Sequence, residues 1–319
     1  MMSILKVGVT GANGFVGRRL YECMVDLPDF EPVAFVRSDD RLASQKDSPP
    51  RFIGSLDNPV NLAQATEGLD VLVHCAARVH VMEDTSEDPL EEYRKTNVIG
   101  TMKLAEQCAA SGVKRFVYIS SIKVNGEETE AGEVYRSIDQ PMPEDPYGIS
   151  KCEAERALRD FSEQSCMELV IIRPPLVYGP GVKGNFASLL SLIGKGIPLP
   201  LGAVNNARSL VALDNLIDLI VCCASHPKAA GQVFLVSDGK PISTTELLRG
   251  IATAMDKRCW LIPVPEWIFR AGLGLLGKKA IADRLFGSLV VDITHTKETL
   301  GWEPSISLEE GLRRAIGSS

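Results

Sequence analysis

This sequence lacks the features that mark several large classes of protein. Its 319 residues include 34 basic and 41 acidic side chains, for a net charge of −7, whereas a protein that binds nucleic acid is usually basic. The eight cysteines form no C-x-x-C pair and no cluster with histidines at zinc spacing, so no metal site is expected. Scattered thiols of this kind are typical of a reducing compartment, and we predict a cytoplasmic protein.

Long apolar runs are also missing. No uninterrupted run reaches the roughly twenty residues that a helix needs to cross a bilayer, which argues against stable membrane insertion. Because the sequence enters a predicted strand at once, we expect no signal peptide. The most membrane-like stretch, 260–277, is interrupted by Pro263, Pro265, Glu266 and Arg270. We interpret it as an amphipathic helix that covers a pocket, with weak attachment to a membrane surface as the alternative.

Short apolar runs alternate with segments of helical periodicity such as 16–25, 93–111 and 150–165. The strand candidates are 4–9, 32–36, 51–53, 71–74, 115–119, 169–172 and 233–236. Many of them are continuously apolar, as in parallel strands that are buried on both faces. The pattern predicts an α/β protein with a doubly wound parallel sheet, the Rossmann fold.

The composition of the sequence changes after residue 173, where proline and glycine become more frequent and the predicted helices are shorter. We therefore expect a cofactor-binding domain over 1–173, with a returning strand near 233–236. Residues 174–319 would then form mostly a smaller C-terminal α/β domain that binds the substrate.

A glycine-rich turn directly follows the first predicted strand. It has the sequence Thr10-Gly11-Ala12-Asn13-Gly14-Phe15-Val16-Gly17. Glycines at Gly11, Gly14 and Gly17 allow a tight turn, a close approach to a pyrophosphate and close packing of the helix on the sheet. The N–H groups at the start of that helix favour phosphate. The turn therefore predicts a dinucleotide site.

The type of dinucleotide is indicated by the end of the second strand. Arg37 lies there, twenty residues after Gly17, and no acidic residue occupies the strand end. An acid at this place would bind the ribose 2′-hydroxyl of NAD, whereas a guanidinium suits the 2′-phosphate of NADP. Arg37 thus favours NADP(H), and NAD(H) stays possible because Asp39 and Asp40 follow closely.

A second motif indicates proton transfer. Tyr147 and Lys151 are four residues apart in Tyr147-Gly148-Ile149-Ser150-Lys151, so that on a helix they share one face. A neighbouring ammonium is expected to lower the pKa of the phenol, which is normally near 10. Ser121, at the end of the fifth strand, is placed to hydrogen-bond the same substrate oxygen.

Together these motifs resemble those of the extended short-chain dehydrogenases/reductases, in the nucleotide-sugar epimerase/dehydratase group. The glycine turn, Ser120-Ser121, the Tyr147/Lys151 pair and the run from Arg173-Pro174-Pro175 to Pro180-Gly181 match in order. The resemblance implies that Ser121 and Tyr147 are acid/base partners that contact the substrate, and that Lys151 binds the nicotinamide ribose.

The resemblance extends to the remaining contacts and to partners. The expected cofactor contacts, besides the glycines, Arg37 and Lys151, are Asn13, Phe15, Val16, Leu56, Asp57, Ala76, Ala77, Asn97 and Pro174. For a UDP-sugar substrate it implies contacts from Asn185, Arg208 and Arg284. It also implies a homodimer.

Three functions are candidates for a protein with these motifs. Family dehydratases carry an Asp-Glu pair after the strand-end Ser or Thr, and here Ile122-Lys123 follow Ser121, which disfavours dehydration. Arg37 and a similarity to bacterial 4-reductases favour NADPH-dependent reduction of the C4 ketone of a UDP-4-keto-6-deoxy-N-acetylhexosamine for surface polysaccharide. The alternative is an NAD-dependent 4-epimerase of UDP-glucose or UDP-N-acetylglucosamine. A non-catalytic NADP-binding sensor is disfavoured because both Tyr147 and Lys151 are present.

Overall fold

The computed structural model describes residues 4–37, 49–79, 88–182, 184–269 and 285–317. Numbered along the chain, its strands are β1 (Leu5–Thr10), β2 (Phe30–Val36), β3 (Arg51–Phe52), β4 (Gly54–Ser55), β5 (Asn58–Pro59), β6 (Val71–His74), β7 (Arg115–Ile119), β8 (Glu168–Arg173), β9 (Leu176–Tyr178), β10 (Leu210–Ala212) and β11 (Val233–Leu235). Seven of these form one parallel sheet in the order β11-β8-β7-β6-β1-β2-β3. The predicted doubly wound sheet is confirmed.

Helices connect the strands and cover both faces of the sheet. They are α1 (Phe15–Val25), α2 (Leu62–Thr66), α3 (Pro89–Arg94), α4 (Thr101–Ala110), α5 (Pro146–Gln164), α6 (Asn185–Gly194), α7 (Leu213–Ser225), α8 (Thr244–Ala254), α9 (Thr294–Leu300) and α10 (Leu308–Ile316). A π-helical turn, Lys95–Gly100, joins α3 to α4, and 3₁₀ turns lie at Ile122–Val124 and Pro227–Ala229. Within the described ranges, no helix combines the length and apolar character needed to cross a bilayer.

Strand side chains alternate between two apolar layers, which explains the continuous apolar runs of the sequence. One layer packs against α1 and α7 and includes Val9, Val73 and Val117. The opposite layer packs against α4 and α5 and includes Leu72 and Phe116. Each sheet strand in the centre is therefore buried on both faces, and α5 is held firmly over β7 and β8.

Part of the chain beyond residue 174 also packs on this sheet. Strand β11 pairs with β8, and α7 shares the core of α1. A separate apolar cluster, including Tyr178, Leu248 and Leu312, gathers most of the other C-terminal elements around the parallel pair β9–β10. The boundary between a cofactor-binding domain, 1–173, and a substrate-binding domain, 174–319, remains a prediction.

The order of the strands predicts where a ligand binds. Strands β1 and β6 are neighbours in the middle of the sheet, and the chain leaves them toward opposite edges. Ligands of such sheets bind outside the carboxyl ends of the strands at this switch point. Thr10, His74 and Ile119 are the last residues of β1, β6 and β7, so the candidate site is built around them.

Close packing at Gly100 generates a first prediction. A Cβ atom at Gly100 would lie 2.5 Å from the carbonyl oxygen of Leu56, because the segment after β4 rests on the π-helical turn. We expect Gly100→Ala to lower the free energy of unfolding by about 1–3 kcal/mol through overpacking, although alanine is the better helix former. Urea unfolding of the two proteins measures the difference.

Gly194→Ala, at the end of α6, is the matched control for that experiment. The nearest atom to its Cβ would be 3.7 Å away, so this variant should be as stable as the wild type. Equal stability of Gly100→Ala and Gly194→Ala would contradict the account of the packing.

Candidate active site

The glycine turn after β1 has the shape of a phosphate cradle. Gly11 has φ +67°, and a Cβ there would lie 3.0 Å from the backbone nitrogen of Ala76. A Cβ at Gly17 would overlap the carbonyl oxygen of Gly11. Gly14 is the N-cap of α1 and no side chain caps that helix, so its first N–H groups are open to an anion. These residues fit a dinucleotide.

Other predicted cofactor residues surround the same turn. Asn13 is exposed at its tip, while Phe15 and Val16 begin α1 and are half-buried. The Ala76 backbone nitrogen donates a hydrogen bond to the Thr10 hydroxyl at 3.1 Å, which holds Ala76 and Ala77 beside the turn. The small side chains at these two positions leave room against the backbone.

His74 lies behind the turn, and its role is to connect neighbouring elements of the fold. Its Nδ1 is hydrogen-bonded to the Thr10 hydroxyl at 2.7 Å and its Nε2 to the Thr101 hydroxyl at 3.0 Å. Burial, reinforced by the charge of Lys151, lowers the pKa of His74 to about 3. The imidazole therefore stays neutral at ordinary pH and joins β1, β6 and α4.

The predicted adenine-side residues lie farther along the edge. Leu56 is buried, and the Asp57 carboxylate accepts a hydrogen bond from the Thr96 hydroxyl. Arg37 directly follows β2 and its side chain is exposed. Asp39 and Asp40 lie outside the described residues. The roles of Arg37, Leu56 and Asp57 in binding a cofactor remain predictions.

The serine and tyrosine that the sequence predicts to be catalytic are brought together by two packed turns. Ser121 follows β7, and its hydroxyl accepts a hydrogen bond from the Lys123 backbone nitrogen at 3.3 Å. The Lys123 ammonium pairs at 2.6 Å with Asp145, which caps α5 by accepting from the Gly148 backbone nitrogen. The first turn of α5 is thus fixed against the turn after β7, and the Ser121 hydroxyl interacts with the phenol of Tyr147.

The pKa of Tyr147 differs from the sequence-based expectation. Burial raises this pKa above its usual value, and nearby Asp145 and Tyr93 raise it further, whereas the interaction with Ser121 lowers it. The Tyr93 ring packs on the phenol ring with centroids 6.0 Å apart. The expectation of a lowered pKa is therefore wrong for the protein alone. A cation close to the phenol oxygen is needed before Tyr147 can accept a proton at neutral pH.

Lys151 is buried deeply, with only 2% of its surface exposed. Its ammonium donates to the Ile119 carbonyl oxygen at 2.7 Å and lies 4.2 Å from the centroid of the Tyr118 ring. Burial lowers the pKa of Lys151 to about 7, against the opposing effects of Glu155 and Cys75. Small changes in its surroundings therefore change its charge near neutral pH.

Sequence reasoning missed a buried ion pair behind these residues. Glu155 and Arg173 form two hydrogen bonds, at 2.6 and 2.9 Å, with only 4% and 3% of their side chains exposed. Glu155 also accepts from the Ser120 hydroxyl at 2.5 Å, and Arg173 donates to the Asn125 side chain at 2.9 Å. The sequence carries one sign of this pair: Glu155 lies one helical turn after Lys151, and so on the same face of the helix.

Asn97 supports the same helix from the other side. Its side-chain nitrogen donates to the Ser150 hydroxyl at 3.0 Å and to the Arg78 carbonyl oxygen at 3.1 Å, while its oxygen accepts from the Arg78 backbone nitrogen. The sequence predicts one helix over 93–111, but Asn97 lies in the π-helical turn. Such turns shift side chains out of the regular α-helical pattern and are frequent at functional sites.

The remaining predicted residues are more scattered. Pro174 follows β8, and its carbonyl oxygen accepts from the Ile122 backbone nitrogen at 3.0 Å, next to Ser121. Arg208 donates to the Gly287 carbonyl oxygen at 2.9 Å. Burial lowers the pKa of Arg208, and Glu128 and Glu127 oppose that shift. Asn185 begins α6, but its side chain, like Arg284, lies outside the described residues. Their contacts with a UDP-sugar remain predictions.

Comparison with known proteins identifies the family of this chain. The model of the NAD dependent epimerase/dehydratase family matches residues 7–237. The chain belongs to this family. A UDP-glucose 4-epimerase from Vibrio cholerae is 51% identical over 308 residues, covering 96% of this chain and 93% of that protein.

Solved structures of the family share the fold. A UDP-glucuronic acid 4-epimerase from Bacillus cereus, in complex with NAD, superposes with a TM-score of 0.79 at 20% identity, over 98% of both chains. A UDP-glucose 4-epimerase from Thermotoga maritima, with UDP-glucose, gives 0.77 at 22% identity and the same coverage. At these identities the likeness establishes the fold. The predicted homodimer remains a prediction.

The ion pair behind the site generates a second prediction. Glu155→Gln leaves the Arg173 charge buried without a carboxylate, and breaking a buried pair in this way costs about 3–5 kcal/mol of unfolding free energy. Urea unfolding measures the loss.

Glu153→Gln is the matched control on the same helix. Glu153 also forms two hydrogen bonds with an arginine, Arg94, at 2.6 and 2.8 Å, but solvent screens this pair and its loss should have little effect. Similar losses in the two variants would show that burial does not set the strength of the Glu155–Arg173 pair.

Proposed function

We propose that this protein is an NAD-dependent UDP-hexose 4-epimerase, which inverts C4 of a UDP-sugar such as UDP-glucose. The observation that carries the proposal is the likeness to the Vibrio cholerae enzyme over nearly the whole chain, with Ser121, Tyr147 and Lys151 gathered at the carboxyl edge of the sheet. The sequence motifs favour a 4-reductase with the epimerase as the alternative, and the likeness to the Vibrio cholerae enzyme favours the epimerase instead.

The side chains of the site divide the proton work between them. Tyr147 takes the proton from the C4 hydroxyl and later returns one to the same oxygen. Ser121 donates a hydrogen bond to that oxygen and holds it in place. When bound, NAD supplies a hydride acceptor for C4 and, in its oxidised form, a positive charge.

Lys151 has two tasks in this proposal. It binds the cofactor ribose, and its charge favours the phenolate form of Tyr147. Because burial raises the pKa of Tyr147, a phenolate is stable only when a cation is near. The site then becomes basic when the oxidised cofactor is bound, which ties proton removal to the presence of a hydride acceptor.

Lys123 supports epimerisation over dehydration. Elimination of water needs an additional acid and base beside the sugar. At the place where family dehydratases carry an Asp-Glu pair, this chain has Ile122, which is buried, and Lys123, which pairs with Asp145 and Glu127. Ile122 and Lys123 therefore do not provide the additional acid and base that dehydration needs.

A 4-reductase that consumes NADPH is the second candidate, and Arg37 favours it. The Arg37 side chain is exposed directly after β2, where a guanidinium suits a 2′-phosphate. The same Ser121, Tyr147 and Lys151 would serve, with Tyr147 giving its proton to the oxygen of a C4 ketone.

One experiment separates the two candidates. Purified protein is incubated with UDP-glucose and NAD, and the sugar products are separated by chromatography. UDP-galactose formed without net change in the cofactor supports the epimerase. If UDP-glucose is unchanged but a UDP-4-keto-6-deoxy sugar is reduced at the expense of NADPH, the protein is the reductase.

Replacement of the phenol hydroxyl gives a third prediction. Tyr147→Phe keeps the aromatic ring but removes the proton carrier, so kcat for C4 inversion should fall by about 10²–10⁴. The variant should still bind NAD, as measured by calorimetry, and this binding is the control for folding. Near-normal turnover by Tyr147→Phe would remove Tyr147 from the mechanism.

A further inference from the structure

Two of the three tryptophans in the chain lie on its surface. Trp260 and Trp267 are 64% and 71% exposed, whereas Trp302 is 6% exposed. Ile262 and Ile268, in the same short segment, are 50% and 45% exposed. We call these four side chains the tryptophan face. Neither the cofactor turn nor the proton-transfer site uses them.

The segment that carries this face is anchored to the protein. Leu199 donates a backbone hydrogen bond to Trp260 and accepts one from Ile262, both at 2.8 Å. Because side chains of an extended segment alternate, Leu261 packs on the C-terminal apolar cluster while Trp260 and Ile262 face solvent. Phe269 packs on the same cluster, with its ring 5.2 Å from that of Phe286. The face is therefore presented on a fixed support.

Positive charge borders the face in a protein that is acidic overall. Lys195, Lys257 and Arg258 are exposed, and the Lys257 ammonium donates to the Gly194 carbonyl oxygen at 2.8 Å, which holds the two basic segments together. Asp256 and Glu266 are exposed in the same described segment, so basic side chains outnumber acidic ones by three to two around the face.

This combination fits an anionic lipid surface. Tryptophan is enriched where a bilayer meets water, because its ring is apolar and its N–H is polar. Lysine and arginine beside such rings are attracted to anionic headgroups. A second copy of the chain fits less well, since two copies of a face with a basic border would repel each other in a symmetric contact.

We propose that the tryptophan face docks this protein on the surface of an anionic phospholipid bilayer, without spanning it. The rings of Trp260 and Trp267 enter the headgroup region together with Ile262 and Ile268. Lys195, Lys257 and Arg258 contact lipid phosphates at the border. The docking is independent of the reaction at Tyr147.

Sedimentation with lipid vesicles tests the proposal. The protein should pellet with vesicles of phosphatidylglycerol and phosphatidylethanolamine and much less with vesicles of phosphatidylcholine. Binding should weaken in about 1 M salt, where the screening length falls to about 3 Å. Tryptophan emission should shift to shorter wavelength as the rings leave water.

Variants identify the surface. Trp260→Ala/Trp267→Ala should lower the partition coefficient by at least about tenfold, and Lys257→Gln by about fivefold. Ile138→Ala/Met142→Ala, which truncates side chains that are 82% and 71% exposed elsewhere, is the control and should bind as the wild type does. Circular dichroism and melting temperature check that each variant is folded.

The results that overturn the proposal are equally specific. They are the absence of wild-type binding to anionic vesicles, or binding that the double tryptophan variant retains in full. A third is a dimer in analytical ultracentrifugation that the same variant abolishes, because a second copy would then cover the face.

Discussion

The burial of charged side chains on helix α5 is the constraint on which the site depends. Lys151 and Glu155 lie one turn apart on a helix that packs on an apolar sheet, and a buried charge is tolerated only with partners. The Lys151 ammonium donates to the Ile119 carbonyl oxygen and lies over the Tyr118 ring. The Glu155 carboxylate pairs with Arg173 and accepts from the Ser120 hydroxyl. These contacts fix the position of α5 along β7 and β8, and so bring Tyr147 to Ser121.

The same burial sets the proton chemistry. A low-dielectric setting penalises charge, so it holds the pKa of Lys151 at about 7 and raises that of Tyr147. At neutral pH Tyr147 is therefore protonated and Lys151 is only partly charged. A positive charge that arrives with a ligand has a large effect in such surroundings, because little water screens it. Under the proposed function, this would let one Tyr–Lys pair serve as base or acid according to the charge of the bound cofactor.

The sheet could be predicted from sequence because its strands are buried on both faces and leave continuous apolar runs. All seven predicted strands appear within about two residues of their observed bounds. The π-helical turn at Asn97, the Glu155–Arg173 pair and the raised pKa of Tyr147 were not predicted, since each depends on packing between distant segments. Arg37 shows the limit of local reasoning: its place in sequence suggests a cofactor, but its side chain is exposed and the following residues, 38–48, lie outside the described ranges.

The central claim is that the hydrogen removed from C4 of the sugar returns to that same carbon from a cofactor that stays on the enzyme. UDP-glucose labelled with deuterium at C4 tests this directly. Incubation in ordinary water, followed by mass spectrometry and proton NMR of the product, should show UDP-galactose that keeps its deuterium at C4. Loss of the label to solvent or to added free cofactor would contradict the account.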